Sequence, residues 1–331
     1  MIDRHTSCYA EDLPLATMIV RNVLLVWMVL ATTWNASAQD ADRCIALGDS
    51  LLLIDRPQKA VDQFDAAIKL RPDAGSYSAR ARAWYAMERM DRFLLDVEKA
   101  LQLDSTYVEA NYQRALYAFR SEDWSHTERL CTRALNHKPD AAMLARVLVL
   151  RGEARAEQKK VPGAIEDLKA GLGSSSDDHE ALRTLARLYD AIGDHAAALG
   201  VLETLCALEP DNIGHWTNRA FELNALGRHE EALKMCEQAL SMDKDEPVAL
   251  SNRAYTLLKL GRDNDAMADI ERSLKSYPAN PYALRTRAVL LLHKGERDKA
   301  CADLSLAKIL GDVPEVDELL KEHCGGTSAP R

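Results

Sequence analysis

The residue types that carry out catalysis are present in this chain, but not at the spacings that catalysis requires. No Gly-x4-Gly-Lys-Ser/Thr, Gly-x-Gly-x-x-Gly or Gly-x-Ser-x-Gly motif occurs, so neither a phosphate-binding loop nor a nucleophile elbow is indicated. Residues 171–176 are rich in glycine and serine but follow no predicted strand, and we interpret them as a linker. Paired acidic residues such as Glu230 and Glu231 are expected on the turns of any acidic helical chain. The sequence therefore predicts no catalytic residue and no enzymatic activity.

The histidines and cysteines are also spaced unlike the ligands of a metal centre. The 9 histidines are scattered, and neither a Cys-x-x-Cys nor a His-x-x-x-His pair occurs. His195 and His229 fall in predicted turns between helices, where we expect solvated side chains. The sequence therefore predicts neither a metal site nor a cofactor.

The composition indicates a helical, acidic protein with a large core. Of the 331 residues, 47% are hydrophobic and 28% are charged, and the formal net charge is −9. Apolar content of this size excludes a wholly disordered chain. Few glycines and prolines beside many alanines and leucines favour helices over a turn-rich β fold. The negative charge argues against nucleic acid as a partner, because binding phosphates requires a basic surface.

Small residues recur along the chain with a period of 34 residues. One series consists of Ala164, Ala198, Ala232, Ala266 and Ala300. A second series consists of Gly152, Ala186, Ala220, Ala254 and Ala288, and a third of Gly193, Gly227, Gly261 and Gly295. The pattern predicts pairs of helices that meet closely at the small residues and turn at the glycines, which favour the left-handed backbone after a helix. One such hairpin cannot bury both of its faces, so neighbouring hairpins must stack.

This unit resembles the tetratricopeptide repeat family, whose repeats have the same length. In the unit that starts at Ile213, the resemblance rests on Trp216, Ala220, Leu223, Gly227, Ala232 and Ala239. In the next unit it rests on Leu250, Ala254, Leu257, Gly261, Ala266 and Pro278. The resemblance implies an all-α fold, a right-handed superhelical solenoid of tandem antiparallel helix pairs.

We predict eight repeats over residues 41–312, a capping helix over residues 313–324 that begins at Pro314, and a flexible tail over residues 325–331. Three extra residues near positions 142–144 interrupt the spacing. We expect either irregular curvature or a longer helix there.

Two cysteines near the carboxyl end are placed to form a disulfide. Cys301 and Cys324 lie at similar distances on either side of the turn at residues 312–314, so an antiparallel hairpin would bring them side by side. Cys131 and Cys236 fall at apolar positions, where we expect them to be buried as small hydrophobic residues. The state of Cys44 and Cys206 is left open.

The resemblance also implies that one stripe of each first helix lines a concave groove for a protein or peptide partner. The predicted groove residues are Tyr112, Leu116, Phe119, Arg183, Arg187, Asn218, Phe221, Asn252, Tyr255, Leu258, Arg285 and Val289. Within this set, Asn218 and Asn252 occupy equivalent positions, and a carboxamide can both donate to and accept from one peptide unit. Asparagine is also common at this position of the repeat without a ligand, and both interpretations stand.

Four of these residues would form an apolar lane with arginines at both ends, namely Phe221, Tyr255, Leu258 and Val289. Exposed aromatic stripes usually mark interaction surfaces. The alternative is that a tight superhelix buries some of them.

Residues 18–38 have the pattern of a secretory signal. Arg21 precedes an apolar run from Val23 to Ala31, and residues 36–38 form a small-x-small cleavage site. The run is about half of the ~20 residues that a membrane-spanning helix requires. We assign residues 1–38 as a signal peptide, with Met18 as an alternative start. An uncleaved signal anchor is the alternative.

These features together predict an exported, non-catalytic scaffold located in the periplasm or secreted, with a bacterial envelope favoured. We expect a protein or peptide partner, no nucleic acid, and no membrane insertion once the signal is cleaved. A homo-oligomer is compatible with the sequence. The alternative function is a structural, self-associating component of a cell-envelope assembly.

Amino-terminal sequencing of exported material tests the predicted signal. We expect the mature chain to begin at Gln39, because cleavage follows the small residue at the end of the signal. Retention of residues 18–38 would instead show an anchor.

Overall fold

The computed structural model describes residues 38–173 and 177–325. Within these two ranges every regular element is an α-helix. The chain forms two compact units that divide between Ala154 and Arg155, inside one helix. Apart from residue 38, the predicted signal peptide lies outside the described residues, as does most of the predicted tail. No helix of the described residues combines the length and the apolar character needed to cross a membrane.

Within residues 38–154, the first unit contains six complete helices and most of a seventh. They are α1 (residues 38–53), α2 (Pro57–Leu70), α3 (Ala74–Ala86), α4 (Met90–Leu103), α5 (Val108–Arg120), α6 (Trp124–Asn136) and α7 (Ala141–Glu157).

The second unit contains the end of α7 and all of the later helices. They are α8 (Val161–Leu172), α9 (His179–Ala191), α10 (His195–Leu208), α11 (Ile213–Ala225), α12 (His229–Met242), α13 (Pro247–Lys259), α14 (Asp263–Ser276), α15 (Pro281–His293), α16 (Arg297–Leu310) and α17 (Val316–His323).

Helices in both units form tandem pairs, each a first and a second helix, as the period predicts. The alanines of the first series are fully buried in the second helices at positions 164, 198, 232, 266 and 300. Ala220, Ala254 and Ala288 are fully buried in the first helices. Side chains of this size allow helix axes to approach toward the short end of the ~8–10 Å packing range. Small residues therefore set the spacing within each pair.

Left-handed residues join the two helices of a pair. Gly193, Gly227, Gly261 and Gly295 have φ between 72° and 76°. The same position is taken in earlier pairs by Asp55, Glu88, Glu122 and Lys159, with φ between 54° and 59°. A residue with a Cβ costs about 1–2 kcal/mol in this conformation. The earlier pairs keep the same left-handed turn despite this cost.

A repeated ion pair also joins the two helices of a pair. Arg80, Arg253 and Arg287 occupy the same position of α3, α13 and α15, and each guanidinium donates two hydrogen bonds to an aspartate of the following helix. The acceptors are Asp96, Asp269 and Asp303, whose carboxylates are about nine-tenths buried. A bidentate ion pair supplies both hydrogen bonds to the carboxylate, whose burial without a partner would be energetically costly.

Extra residues before the fourth repeat are accommodated by a longer helix. Helix α7 has 17 residues, whereas its neighbours α5 and α6 have 13 each. Within the second unit, Arg155 at the end of α7 lies 2.8 Å from the buried carboxylate of Asp167 in α8. An arginine at a usually apolar position is thus matched by an acidic partner.

The last helix covers the end of the second unit. Val313, Val316 and Leu319 pack in a core cluster with Leu290 and Leu304. The helix begins at Val316 and not at Pro314 as predicted, because Glu315 is left-handed, with φ 69°. A disulfide joins Cys301 of α16 to Cys324 at the end of α17, with their Cα atoms 5.7 Å apart. Cys131, Cys206 and Cys236 are buried, while Cys44 is half-buried.

Removing this disulfide should destabilise the C-terminal repeats. The bridge closes a loop between residues 23 positions apart. The paired substitution Cys301→Ser, Cys324→Ser is expected to lower the free energy of unfolding by about 2–4 kcal/mol, because the unfolded chain regains its loop entropy. Chemical denaturation with and without reductant measures the effect.

Cys44→Ser is the matched control, since Cys44 forms no disulfide in the structure. Reductant should destabilise this control and the wild type equally and leave the paired variant unaffected. Non-reducing peptide mapping that recovers Cys301 and Cys324 as free thiols would contradict the bridge.

Candidate partner-binding site

A cavity of about 290 Å³ lies between α11, α13, α15 and the segment before α17. Its aromatic side chains are Phe221, Tyr255 and Tyr282, one from each first helix. The rings of Phe221 and Tyr282 meet edge to face with centroids 5.9 Å apart. Because Phe221 and Tyr255 lie 34 positions apart on stacked helices, the repeat places them on the same face. We call this space the aromatic cavity.

Arg285 lies inside the aromatic cavity and is not the free cation that the sequence predicts. It is only 7% exposed, with its guanidinium 4.4 Å from the centre of the Tyr255 ring. One terminal nitrogen lies 2.8 Å from the carboxylate of Glu315. Its Nε is buried and has no hydrogen-bond partner among the described residues. The predicted cation is therefore neutralised by the capping segment but retains one unused donor.

The two predicted asparagines have different environments. Asn252 lines the aromatic cavity and donates from Nδ2 to the carbonyl oxygen of Thr217 on α11, at 2.9 Å. Gln113 makes the same bond to Ser78 in the first unit, at 2.8 Å. The side chain of Asn218 is exposed and makes no hydrogen bond within the described ranges. The donor of Asn252 thus joins neighbouring repeats, which corrects the prediction that its whole carboxamide is available to a ligand.

Leu258 and Val289 lie next to the aromatic cavity, in a second space of about 470 Å³ against the capping helix. Lys259, Leu319 and Glu322 also line it. Both predicted residues are half-buried. The four residues of the predicted apolar lane therefore line two neighbouring cavities, and the capping helix forms one wall of the second.

A third cavity of about 590 Å³ between α9 and α11 contains Arg183, Arg187 and Asn218. Arg187 is largely exposed, and its guanidinium is 3.7 Å from the carboxylate of Glu157. Arg183 donates to both carboxylate oxygens of Glu209, at 2.7 and 2.9 Å. Arg187 is thus the more accessible cation at this end of the face.

Glu209, directly after α10, is the centre of an ionic cluster. Besides Arg183, its carboxylate contacts Nε2 of His215 at 2.5 Å and Nδ1 of His179 at 2.8 Å. Hydrogen bonds from His215 first, and then from Arg183, lower the pKa of Glu209 from its ordinary value of 4.5 to about 2. The cluster joins the start of α9 to the start of α11, and it gives this face a pH-sensitive contact.

In the first unit, the predicted residue Tyr112 is buried and not exposed in a groove. It is 8% exposed and belongs to a core cluster, with the guanidinium of Arg146 4.5 Å from its ring centre. Burial raises the pKa of its hydroxyl. Leu116 and Phe119 are half-buried, and the Phe119 ring packs edge to face on Trp124. These residues serve the packing of α5, α6 and α7.

His195 is not the solvated side chain that its turn position predicts. Its Nδ1 lies 2.7 Å from Oε2 of Glu222 and 3.9 Å from Oδ1 of Asp190. The side chain of Glu222 is only 4% exposed, and burial raises the pKa of its carboxyl. Linear spacing did not reveal this cluster, because its members come from α9, α10 and α11.

Two regions of the second half of the chain carry the repeat signature of one family. Residues 149–213 and 223–290 each match a profile described as tetratricopeptide repeat. These two regions consist of tetratricopeptide repeats. Repeats of this family generally act as non-catalytic scaffolds for protein interactions, and their stacked helices offer extended binding surfaces.

Similar proteins include human DnaJ homolog subfamily C member 3, which is 24% identical over 220 residues. The match covers 52% of this chain and 44% of the human protein, so it spans less than half of that relative. YrrB, solved as a TPR protein with an unusual peptide-binding site, is 21% identical with a TM-score of 0.49, covering 56% of this chain and 95% of that one. A tetratricopeptide repeat protein from Parabacteroides merdae is 16% identical with a TM-score of 0.45, covering 86% and 99%.

Sequence reasoning on the repeats missed Glu315 and Glu222, two carboxylates that line the cavities of this face. Glu315 follows the last repeat and was assigned only to a cap. Glu222 occupies a position that is Thr256 in the next repeat and Leu290 in the one after. A carboxylate at a position otherwise neutral and buried is the signal that could have identified it.

The Glu209 cluster should make stability depend on pH in the acid range. Because the pKa of Glu209 is lowered from 4.5 to about 2, its contribution is complete above the ordinary value and is lost as the pH falls through that window. We expect Glu209→Gln to lower the unfolding temperature clearly at about pH 5, with the difference from wild type shrinking toward about pH 2. Thermal unfolding followed by circular dichroism gives both temperatures.

Glu230→Gln is the matched control, since Glu230 is exposed and has no ion pair among the residues described. A constant difference between wild type and Glu209→Gln across this pH range would contradict the cluster's role.

Proposed function

We propose that this chain is an exported scaffold that binds an extended peptide segment of a partner protein on the face formed by α9, α11, α13 and α15. The observation that carries the proposal is the aromatic cavity, in which ring surfaces surround a buried, unpaired donor. Cavities with apolar walls and a few convergent polar groups are the usual form of binding sites.

The walls of the aromatic cavity suit an apolar side chain of the partner. Phe221 and Tyr255 are half-buried and Tyr282 is exposed, so all three retain surface for a ligand. Aromatic anchors supply a large contact area at low entropic cost. An aliphatic or aromatic residue of the peptide is therefore the expected anchor.

The polar groups beside the rings suit the backbone of that peptide. Nε of Arg285 offers a donor, and Oδ1 of Asn252 accepts no hydrogen bond from a described residue. Asn218, at the equivalent position of α11, has its whole carboxamide free of partners within the described part of the chain. An extended segment needs both donors and acceptors, because its own amide groups are unpaired.

Charge on the face favours a direction for the bound segment. Arg187 stands largely exposed at the α9 end, whereas Glu315 and Glu322 line the cavities at the α17 end. We infer that the preferred peptide carries an acidic residue on the α9 side of its apolar anchor.

Export is supported by the sequence pattern of residues 18–38 and by the disulfide between Cys301 and Cys324, since disulfides persist in oxidising compartments. We therefore propose the periplasm, or release from the cell, as the location.

Peptide selection with the purified full chain tests the binding face. A displayed library of random peptides should yield sequences with an apolar anchor and an acidic neighbour. The variant Phe221→Ala, Tyr255→Ala should bind a selected peptide at least about tenfold more weakly, because truncating two aromatic anchors costs about 1–2 kcal/mol or more. Fluorescence anisotropy measures the dissociation constants.

Tyr277→Ala is the matched control, because Tyr277 is an exposed tyrosine that lines none of these cavities. Equal circular dichroism spectra and unfolding temperatures confirm that the variants are folded. A selected peptide that binds the double variant and the wild type equally would place recognition elsewhere.

A second function, self-association, is favoured by an exposed apolar stripe on α16. Leu306, Ile309 and Leu310 are 43%, 80% and 40% exposed and lie on one face of the helix. If no peptide is selected and sedimentation shows an oligomer that Ile309→Glu dissociates, the structural role replaces peptide binding.

A further inference from the structure

Three potential metal ligands converge where α9, α10 and α11 meet. Asp190 lies in the last turn of α9, His195 is the first residue of α10, and Glu222 lies on α11. One ligand atom from each residue can be chosen such that all three lie within 4.8 Å of one another. This is the one such group of three among the residues that the structure describes.

The next repeat contains the same arrangement without charged oxygen ligands. Residues 34 positions later are Asn224, His229 and Thr256. Nδ2 of Asn224 lies 2.9 Å from Oγ1 of Thr256, and its Oδ1 lies 3.1 Å from Nδ1 of His229. An amide and a hydroxyl therefore satisfy the histidine and one another by hydrogen bonds alone. The fold therefore does not need two carboxylates at this crossing.

The charges of the first arrangement lack a matching cation. Glu222 is almost fully buried, and its one ion-pair partner within the described ranges is His195. Asp190 likewise has His195 as its one ion-pair partner among the described residues. Two carboxylates thus share a single imidazole. Asp190 is exposed, but Glu222 is buried, and burial of an uncompensated charge is costly. A bound divalent cation would neutralise both.

We propose that Asp190, His195 and Glu222 bind a divalent transition-metal ion, with Zn²⁺ as the expected occupant. One imidazole nitrogen with two carboxylate oxygens is a ligand set that Zn²⁺ accepts, whereas Mg²⁺ and Ca²⁺ prefer oxygen ligands throughout. Three protein ligands leave a fourth position for water or for a donor of another molecule.

The surrounding structure holds the ligands in place before metal binds. Asp194 caps α10 by accepting a hydrogen bond from the backbone N–H of Ala197, which fixes the turn that presents His195. Gly193 supplies the left-handed residue between Asp190 and His195. Metal entry replaces the hydrogen bond between His195 and Glu222 by two bonds to the ion. Only small side-chain rotations are needed, because the ligands stand on three fixed helices.

The site is open to ligands of the same face. Asp190 and Glu222 line the cavity that contains Arg187, and His195 lines the aromatic cavity. A bound ion would lie between the two cavities. This inference does not depend on peptide binding, since the three ligands belong to the chain itself.

Isothermal titration of the metal-free full chain, without an affinity tag, with ZnCl₂ tests the site. We expect a saturable site in the wild type. The variant Asp190→Asn, Glu222→Thr copies the neutral arrangement of the next repeat, so the fold should tolerate it. Loss of two ligands should weaken this site by more than about 100-fold, since even outer partners of a metal ligand change affinity by about 10–100-fold. Zinc should raise the unfolding temperature of the wild type and not that of the variant.

Two controls separate this site from other zinc binding. His229→Ala removes the equivalent histidine of the next repeat and should leave the affinity unchanged, and MgCl₂ should give no saturable heat. Co²⁺ provides a second readout, because its visible absorption reports a nitrogen and oxygen ligand set in the wild type that the double variant should lose. Zinc affinity that is equal in the wild type and the double variant, or no saturable binding to the wild type, overturns the proposal.

Discussion

In the second unit, an alanine of each second helix lies in the core with no exposed surface, and Ala220, Ala254 and Ala288 are equally buried on the first helices. The other features of this unit depend on that close approach. A larger side chain at these crossings would push the helices apart, at a cost of about 1–3 kcal/mol per overpacked site. Ion pairs such as Arg253 with Asp269 can form only because the helices are held at this distance. The left-handed turn residues reverse the direction of the chain at the same position in each repeat.

A constant period places equivalent residues on one face, and the chain uses that regularity to vary chemistry at fixed positions. Phe221 and Tyr255 share one position and form part of the aromatic cavity. At another position, Glu222 is replaced by Thr256 one repeat later, which changes a charged cluster into a neutral one without altering the helices. Function in such an array depends on which side chain occupies each repeated position, since the backbone provides the same scaffold every time.

The carboxyl end determines how much of this face is available. Because the disulfide and an apolar cluster hold α17 on α16, the left-handed Glu315 can place its carboxylate on Arg285. The capping segment thus completes the aromatic cavity and neutralises the cation beside Tyr255. Charges on the face are then unevenly distributed, with an accessible arginine at the α9 end and acidic side chains near the cap. That asymmetry is why we infer a directional peptide ligand.

The sequence by itself determined the features that depend on neighbours along the chain. Helix pairs, the buried alanines and the left-handed glycines follow from the 34-residue period, and the bridge between Cys301 and Cys324 follows from similar distances across one turn. Tertiary structure decided which predicted residues are free to bind. Tyr112 is buried under Arg146, Arg285 is paired with Glu315, and Asn252 bonds the preceding repeat. It also brought Asp190, His195 and Glu222 together. Each of these contacts joins separate helices, so their geometry depends on how the helices stack and not on spacing within any one of them.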